Sequence, residues 1–454
     1  MSGSGVLFGE RELRAIAERA LRAAKGDQAE ALVIGRTGSL TRFANSAIHQ
    51  NVTSREADLR VRVVVGTRRA TATTNRLDDE GIRRAAELAS DLARRAPEDP
   101  TFPGLPAPRV IPPSPSAYVE KTAEATPLDR ARAVKTLCDS ATAARLIAAG
   151  FVSTNVQEIA VASTLGTWAY APETFAEAQI AAIGDDGSAF AQRVSMDMTS
   201  LDVNGAAAEA VGKAAIAQHP RDLAPGTYEV VLAPYAVRDM VGFLGAQLNG
   251  LAIEEGRSFV GGKIGQSVTG PITLVEDPYD ARSIPRAFDF EGQPSDRVTL
   301  VEKGIARGVV YDSVTAHRGR VENTGHATPF LIQPAPMHMR LEAGDKTREQ
   351  LIAGVKKGVL VTRFWYTRWV HQLRTIVTGM TRDGTFAILD GEIAHPVKNF
   401  RFTQSYHEAL GGVRGISKDL SLLVTGEQFG LMTSAQRVPA LHLAAFTFTG
   451  ATRY

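Results

Sequence analysis

The first half of the chain changes its hydrophobic period along its length. Residues 10 to 25 carry apolar side chains at helical spacing with arginines between them, which predicts an amphipathic helix. The period then falls to two, which predicts three strands and the returning arm of a hairpin at 31–34, 40–43, 59–65 and 67–74. Arginines alternate with aliphatic residues in the third of these strands, so we expect one face of the sheet to meet water.

A long helix and a proline-rich linker follow. Residues 78 to 95 begin with acidic side chains and end before Pro97, as a helix with a favourably charged first turn does. Eight prolines between residues 97 and 116 exclude regular structure there. Helical spacing at 128–149, alternating strands at 150–198 and a helix at 204–218 complete this half.

The second half is rich in strand patterns. Short loops at 302–304 and at Asp390-Gly391 each separate two β-like runs, which predicts two hairpins. Thr347 is followed three residues later by Gln350, a capping box that predicts a helix over 347–357. Residues 441 to 449 predict a final strand.

Together these patterns predict an α+β protein of two domains, in keeping with a length of 454 residues. Residues 1–222 are expected to form an N-terminal α/β domain with an antiparallel sheet and long helices. The linker at about 97–116 lies inside this domain. Residues 223–454 are expected to form a mostly β domain, barrel-like or sandwich-like.

Charge and cysteine content narrow the function classes. The formal net charge is +2 and the basic residues are scattered, which argues against a nucleic-acid partner. The single cysteine, Cys138, excludes an internal disulfide and suits a reducing compartment. Its helical context favours a small buried hydrophobe over a reactive thiol. With no signal-peptide pattern and no long apolar run, we expect a cytoplasmic protein without a membrane span.

Three apparent catalytic motifs fail on spacing. His407-Glu408 begins like a zinc-binding H-E-x-x-H helix, but glycines occupy the positions of the second histidine. Gly256-Arg257-Ser258 begins like a nucleophile elbow, but the closing glycine comes one residue late. The same loop lacks the lysine that a phosphate-binding loop places directly after its second glycine.

The glycine-rich segment 250–265 has two open interpretations. Its glycines permit tight turns beside a sheet, or they form a cleft wall that presents backbone groups to an extended peptide. The aromatic and basic stretch 363–369 is likewise typical of an apolar strand with a cationic rim, or of a surface that binds a peptide or a nucleic-acid strand.

Two carboxylate clusters carry acid–base potential. Glu254-Glu255 and the pair Asp289 and Glu291 bring acidic groups close in sequence. Such pairs perform acid–base catalysis when burial separates their pKa values. We favour salt bridges or solvated turns at these positions.

Several strings resemble, in this order, those of the TldD/PmbA family of peptidase subunits. The resemblance covers nearly the whole chain and includes Phe43-Ala44-Asn45, the segment 250–265, Phe288-Asp289-Phe290-Glu291-Gly292, Thr381-Arg382-Asp383-Gly384 and Pro396-Val397-Lys398-Asn399. In the zinc-bearing TldD branch of that family, a strand leads into a helix with the motif H-E-x-x-x-H. A cysteine near the C-terminus completes the site.

The segment from Tyr235 to Asn249 is helix-like and follows an apolar strand that ends at Leu232. The resemblance places the zinc-motif positions in this segment, at about Gly242, Phe243 and Gln247. None of these is a zinc ligand or a general base of that design, and the single cysteine lies in the other half of the chain. The resemblance therefore implies the TldE (PmbA) branch. This chain is then expected to hold no metal ligand, no catalytic residue and no cofactor.

A TldE-like subunit pairs with a TldD-like subunit, which supplies the zinc. By resemblance, the pair encloses a chamber and cuts unfolded or shortened peptides, such as leader peptides. This chain would complete the chamber and help bind the peptide. The expected substrate-binding residues are Gly250, Gly256, Arg257, Ser258 and Phe259, with Thr381, Arg382, Asp383 and Gly384.

Two alternatives stay open. One is a stand-alone peptide-binding or regulatory homodimer without hydrolytic activity. The other is an enzyme with a non-metal site around Glu254, Glu255, Asp289 and Glu291.

Overall fold

The computed structural model describes residues 8–329, 333–425 and 434–451. Residues 1 to 7, where the sequence predicts no signal peptide, lie outside this part. The helices described are α1 Glu10–Ala23, α2 Asp79–Arg95, α3 Glu120–Ala123, α4 Pro127–Ala143, α5 Val203–Ile216, α6 Pro234–Gly245, α7 Gly250–Glu254, α8 Ser313–Gly319, α9 Arg348–Ala353 and α10 Tyr406–Leu410. Within these described ranges, no helix combines the length and the apolar character needed to cross a bilayer.

Strands occur in both halves of the described chain. They are β1 Gln28–Ala44, β2 Ala47–Val65, β3 Arg68–Thr74, β4 Ile147–Ser163, β5 Trp168–Ile183, β6 Ser188–Ser195, β7 Gly226–Leu232, β8 Leu274–Glu276, β9 Val298–Glu302, β10 Ile305–Ala306, β11 Met339–Leu341, β12 Lys357–His371, β13 Ile376–Leu389, β14 Glu392–Pro396, β15 Phe400–Ser405, β16 Val413–Ile416, β17 Ser421–Thr425, β18 Ser434–Val438 and β19 Leu441–Ala451.

The first six strands form one antiparallel sheet in the order β3-β2-β1-β4-β5-β6. The sequence predicts two short strands at 31–34 and 40–43, whereas the structure has the single strand β1. Residues 35 to 39 include two glycines that interrupt the alternation, but β2 and β4 pair with β1 through them on both sides. Backbone pairing therefore extends the strand past a weak side-chain pattern.

Helices cover the apolar face of this sheet. Apolar residues of α1 and α2 form one core with β1 and β2, and α4 and α5 form a second core with β4 to β6. The start of α2 is fixed because the Asp78 carboxylate accepts a hydrogen bond from Gly81 N at 2.6 Å. Cys138 is buried in the second core, which confirms the prediction of a small buried hydrophobe.

The second half contains two further sheets. One has the order β10-β9-β8-β11-β18-β17. In the other, strands follow the order β12-β7-β19-β15-β13, and a pairing of β12 with β13 closes these five strands into a ring. The α+β prediction is confirmed, while the domain division at residue 222 stays a prediction.

Three predicted helices are shorter than expected. The helix predicted at 128–149 is α4, which ends at Ala143, and β4 begins at Ile147. The capping box at Thr347 and Gln350 is present, but α9 ends at Ala353 because β12 begins at Lys357. The helix expected from Tyr235 to Asn249 ends at Gly245, and α7 follows it.

The proline-rich linker contacts both halves of the chain. Leu105 N donates to the Gln28 side chain of β1 at 2.7 Å. Gln293 Nε2 donates to the Ala107 carbonyl at 3.1 Å, and Arg109 donates to the Asn323 carbonyl at 3.2 Å. A segment without helix or strand is thus held in place by hydrogen bonds on either side.

Two glycines with positive φ differ in how closely other atoms surround them. Gly325 has φ 67°, and a Cβ there would lie 2.0 Å from the Pro294 carbonyl oxygen. Gly66 has φ 61°, with nothing within 4 Å of a Cβ. We expect Gly66→Ala to lower the free energy of unfolding by about 1 kcal/mol through backbone strain alone. Gly325→Ala should cost at least about 2 kcal/mol more because backbone atoms must also move. Urea denaturation measures both variants, and equal losses would contradict this account.

Candidate functional site

The strand–helix unit β7–α6 lies at the centre of the second half. Strand β7 pairs with β12 on one side and β19 on the other. Pro234 occupies the first turn of α6, where its fixed φ suits a helix start. Most residues of α6 are buried in the largest core of the protein. The helix is therefore a rigid internal element rather than a surface one.

The three positions of the expected zinc motif hold groups that do not bind zinc. A Cβ on Gly242 would lie 3.5 Å from the Gln436 side-chain amide nitrogen. The Phe243 ring packs edge-on against Trp369, with centroids 4.8 Å apart, and against Tyr406 at 5.8 Å. Gln247 is buried. In the parts of the chain that the structure describes, no group of three or more His, Cys, Asp or Glu is arranged to hold a metal.

A compact turn follows α6 and contains the first set of predicted substrate-binding residues. Gly250 is crowded, because a Cβ would lie 2.4 Å from the Tyr311 ring, and Gly256 has φ 65° in open space. The Ser258 and Phe259 side chains are buried. Arg257 donates to the Glu255 carboxylate. The polar surface of this turn therefore consists of backbone groups, Arg257 and the exposed Glu254 and Glu255.

His407 is a half-buried residue of α10 that stacks on Phe259, with ring centroids 5.3 Å apart. Its Nδ1 lies 2.8 Å from the Thr375 hydroxyl. Burial lowers the pKa of His407, so the ring is neutral at physiological pH. These contacts give it a structural place in the fold.

The second predicted set lies on β13 and is largely used within the fold. The Thr381 hydroxyl accepts hydrogen bonds from Phe400 N at 2.9 Å and from the Thr385 hydroxyl at 2.8 Å. The buried Asp383 carboxylate accepts from Arg363 Nε at 2.6 Å and from the Ser188 hydroxyl at 2.7 Å. Asp383 therefore joins β13 to the first sheet through β6.

A cleft of about 250 Å³ opens beside Asp383. One wall is the β5–β6 turn, residues 183–188, and the other contains residues 383–385 and 396–399. Gly384 lines it, with φ 107°, and so does Lys398, which pairs with Asp222 at 3.0 Å. Arg382 is half exposed next to this wall. None of the described contacts joins this cleft to the turn at 250–259.

A buried charge cluster joins the two halves, and the sequence did not predict it. Arg62 of β2 donates to Glu30 at 2.8 Å and to Glu291 at 3.1 Å, and all three side chains are almost fully buried. Glu291 also accepts a hydrogen bond from the Ser313 hydroxyl at 2.8 Å. Burial raises the pKa of Glu30, although Arg62 opposes that rise.

Asp289 lies in the same cluster and accepts hydrogen bonds from three backbone N–H groups, those of Glu291, Gln293 and Ala327. Burial, reinforced by the Glu291 carboxylate, raises the pKa of Asp289 well above its usual range. Asp312 is buried nearby at the N-terminus of α8, and burial raises its pKa as well.

The expectation of a solvated turn at Asp289 and Glu291 is therefore wrong, whereas the salt bridge expected there exists for Glu291. Their surroundings come from β1, β2 and α8, which lie far away in sequence. Glu254 and Glu255 are exposed and pair with Arg318 and Arg257. No contact in the described structure joins the four carboxylates into one catalytic group.

A second buried cluster was also missed. His338 Nδ1 lies 3.1 Å from the Glu276 carboxylate, and His326 Nε2 lies 3.6 Å from it. Burial raises the pKa of Glu276, but the interactions with the two histidines outweigh this and lower it to about 2. The histidines are dispersed in sequence, so no local spacing indicates that they meet.

Comparisons with known proteins place this arrangement in a family. A model of the PmbA/TldA metallopeptidase C-terminal domain matches residues 225–450, and a model of domain 1 of the same metallopeptidases matches residues 29–93. The chain belongs to the TldD/PmbA metallopeptidase family, as its sequence resemblance predicted.

Individual relatives and structures agree with this. A metalloprotease from Methanothermobacter thermautotrophicus is 28% identical over 174 residues, 37% of this chain and 38% of that protein. A metalloprotease TldD homologue from Haemophilus influenzae is 27% identical over 199 residues, 42% of this chain and 41% of that one. Each match thus spans less than half of the relative.

Two crystal structures share the fold over almost their whole length. TldE from Thermococcus kodakarensis superposes with a TM-score of 0.84 at 20% identity, over 96% of this chain and 99% of that one. A candidate modulator of DNA gyrase from Thermotoga maritima gives 0.82 at 17% identity, over 96% of this chain and 100% of that one.

The Arg62 cluster makes a stability prediction with a defined pH dependence. We expect Arg62→Met to lower the free energy of unfolding by about 3–5 kcal/mol at pH 8, because two buried carboxylates lose their cation. The loss should be smaller at pH 5. Because the folded-state pKa of Glu30 is raised, the folded protein holds this proton more tightly than the unfolded chain does. Protonated Glu30 carries no charge and needs no cation. Removing Arg62 therefore costs less at low pH and more as the pH rises.

Urea denaturation at both pH values measures this difference. The matched control is Arg68→Met, which removes an exposed pair with Glu98 and should cost less than about 1 kcal/mol at either pH. An Arg62→Met loss that is the same at pH 5 and pH 8 would contradict the assignment.

Proposed function

We propose that this chain is the non-catalytic, TldE (PmbA)-like subunit of a heterodimeric TldD/TldE zinc metallopeptidase. In this proposal it works in the cytoplasm on unfolded peptides such as leader peptides. The zinc belongs to a TldD-like partner. The observation that carries the proposal is the composition of α6 and the turn after it. Gly242 and Phe243 of α6 and Gln247 of the turn stand where, by resemblance, the zinc-bearing branch has its motif.

The chemistry of these positions supports a silent subunit. Zinc hydrolysis needs imidazole, thiolate or carboxylate ligands and a base beside the metal-bound water. Gly242 offers no side chain, and Phe243 is engaged in aromatic packing with Trp369 and Tyr406. The residues present do not fit a zinc ion, so no step of hydrolysis is assigned to this chain.

The peptide-binding role rests on two surfaces. The cleft beside Asp383 and Gly384 is open, and charged residues line it together with glycines, prolines and aliphatic residues. The turn at 250–259 presents backbone groups beside the charged side chains of Glu254, Glu255 and Arg257. Backbone groups bind extended peptides independently of their sequence. In this proposal both surfaces belong to the wall of the peptide chamber and take no part in hydrolysis.

Metal analysis and reconstitution test this proposal. The purified chain should contain sub-stoichiometric zinc and should not cleave unfolded peptides. Addition of the zinc-bearing family member from the same genome should restore cleavage that a chelator abolishes. Replacing the glutamate of that partner's H-E-x-x-x-H motif should remove the activity, which places the chemistry in the partner.

Two results would overturn the proposal. Chelator-sensitive cleavage by this chain alone would make it an enzyme in its own right. Tight peptide binding by a homodimer, with no measurable affinity for the zinc-bearing family member, would favour the stand-alone binding module.

A further inference from the structure

The hairpin of β12 and β13 carries a surface that the fold itself does not use. Strand β7 pairs with β12 only through Val361. Beyond that residue, β13 is the strand paired with β12 in the described structure. We call residues 362–382 the rim hairpin, because they form one end of the closed ring of strands.

One face of the rim hairpin packs inward. The Phe364 ring lies 4.6 Å from that of Phe402 in the core. The Thr367 hydroxyl donates to Asp239 of α6 at 2.8 Å, and Trp369 packs on Phe243. These contacts anchor the hairpin, so its other face is held in a fixed shape.

The outer face exposes large apolar side chains. A bulge in the pairing between Trp365 and Arg368 includes Tyr366, which has φ 52°. Tyr366 is 66% exposed, Val370 57%, and Leu373 in the connecting turn 47%. Grouped exposed apolar side chains on a rigid element are typical of interaction sites.

The charged side chains of this hairpin are all cationic, and the fold pairs three of them with carboxylates outside it. Arg363 and Arg382 lie against Asp383, and Arg374 lies 3.7 Å from Glu408. Residues 362–382 contain Arg363, Arg368, Arg374 and Arg382 but no lysine, aspartate or glutamate. The Arg363 guanidinium lies 4.0 Å from the Phe190 ring centroid and 4.7 Å from that of Trp365, and Arg382 lies 5.0 Å from Trp365. Arg368 makes no ion pair with the described part of the chain. Protein interfaces are enriched in aromatic residues, methionine and arginine and depleted in lysine and acids.

We propose that the rim hairpin is the docking surface for the zinc-bearing partner subunit, and that the partner presents carboxylates around an apolar patch. This inference rests on the proposed function and adds the surface that joins the subunits. The aliphatic side chains of Val370 and Leu373 suit a protein surface better than a nucleic acid. A symmetric contact between two such hairpins would oppose like charges, which disfavours a second copy of this chain.

Binding measurements between the purified chain and the zinc-bearing family member from the same genome test the inference. Arg368→Glu and Val370→Glu should each raise the dissociation constant of the complex at least about tenfold. Raising NaCl from about 50 to 500 mM should weaken the wild-type complex more than the Arg368→Glu complex, because one charge contact is already lost. Matched controls are Arg22→Glu and Ile48→Glu, which replace exposed residues of α1 and β2 and should leave binding unchanged.

The outcomes separate the two proposals. If the wild-type chain fails to bind the zinc-bearing subunit, the proposed function fails and this inference with it. If the wild type binds but the hairpin variants bind as tightly as the controls, this inference alone fails. Hairpin variants that retain the subunit but lose binding to a labelled single-stranded oligonucleotide would assign the surface to nucleic acid instead. Circular dichroism and melting temperatures equal to wild type show that the variants fold.

Discussion

The buried guanidinium of Arg62 is the interaction on which the arrangement of the two halves depends. It lies between Glu30 on the first sheet and Glu291 in the second half, in a cluster that also contains Asp289 and Asp312. Carboxylates outnumber the cation, and burial is costly for each charge. Burial and the Glu291 carboxylate raise the pKa of Asp289, whose carboxylate is held by three backbone N–H groups. The relative position of the sheets is thus set by paired charges and not by apolar packing alone.

Helix α6 is a second element that contacts both halves of the chain. Its buried faces touch the first sheet through Tyr235, whose ring packs edge-on against Phe190 at 5.2 Å, and touch the rim hairpin through Phe243. At Gly242 this helix offers no side chain, and the Gln436 amide nitrogen would lie 3.5 Å from a Cβ there. In the fold shared with TldE of Thermococcus kodakarensis, α6 of this chain contributes Phe243 to an aromatic packing site with Trp369 and Tyr406.

Local sequence patterns predicted much of this fold, because the hydrophobic period and the capping residues of many strands and helices are visible in the sequence. The acidic start of α2 and the Thr347 capping box both appear in the structure. The pattern failed where neighbours in space decide the outcome. Two glycines interrupt β1 in sequence, yet pairing on both sides carries the strand through them.

The candidate site shows the same limit more sharply. Asp289 and Glu291 have the local look of a solvated turn, and their burial comes from β1, β2 and α8. Glu276 meets His326 and His338 across 50 and 62 residues of chain, a separation that leaves no short motif. The resemblance indicates Thr381 and Asp383 as peptide-binding residues. In the structure, their side chains form hydrogen bonds that hold β13 to Phe400 and to Ser188.

The linker between α2 and α3 has a consequence for how the protein is handled. Its prolines mark it as the natural place to cut the chain into separately expressed pieces. Its backbone, however, is clamped between Gln28 on one side and Gln293 and Asn323 on the other. A fragment boundary placed there would remove these hydrogen bonds from both pieces. It would also expose the side chains of Gln28 and Gln293 to water.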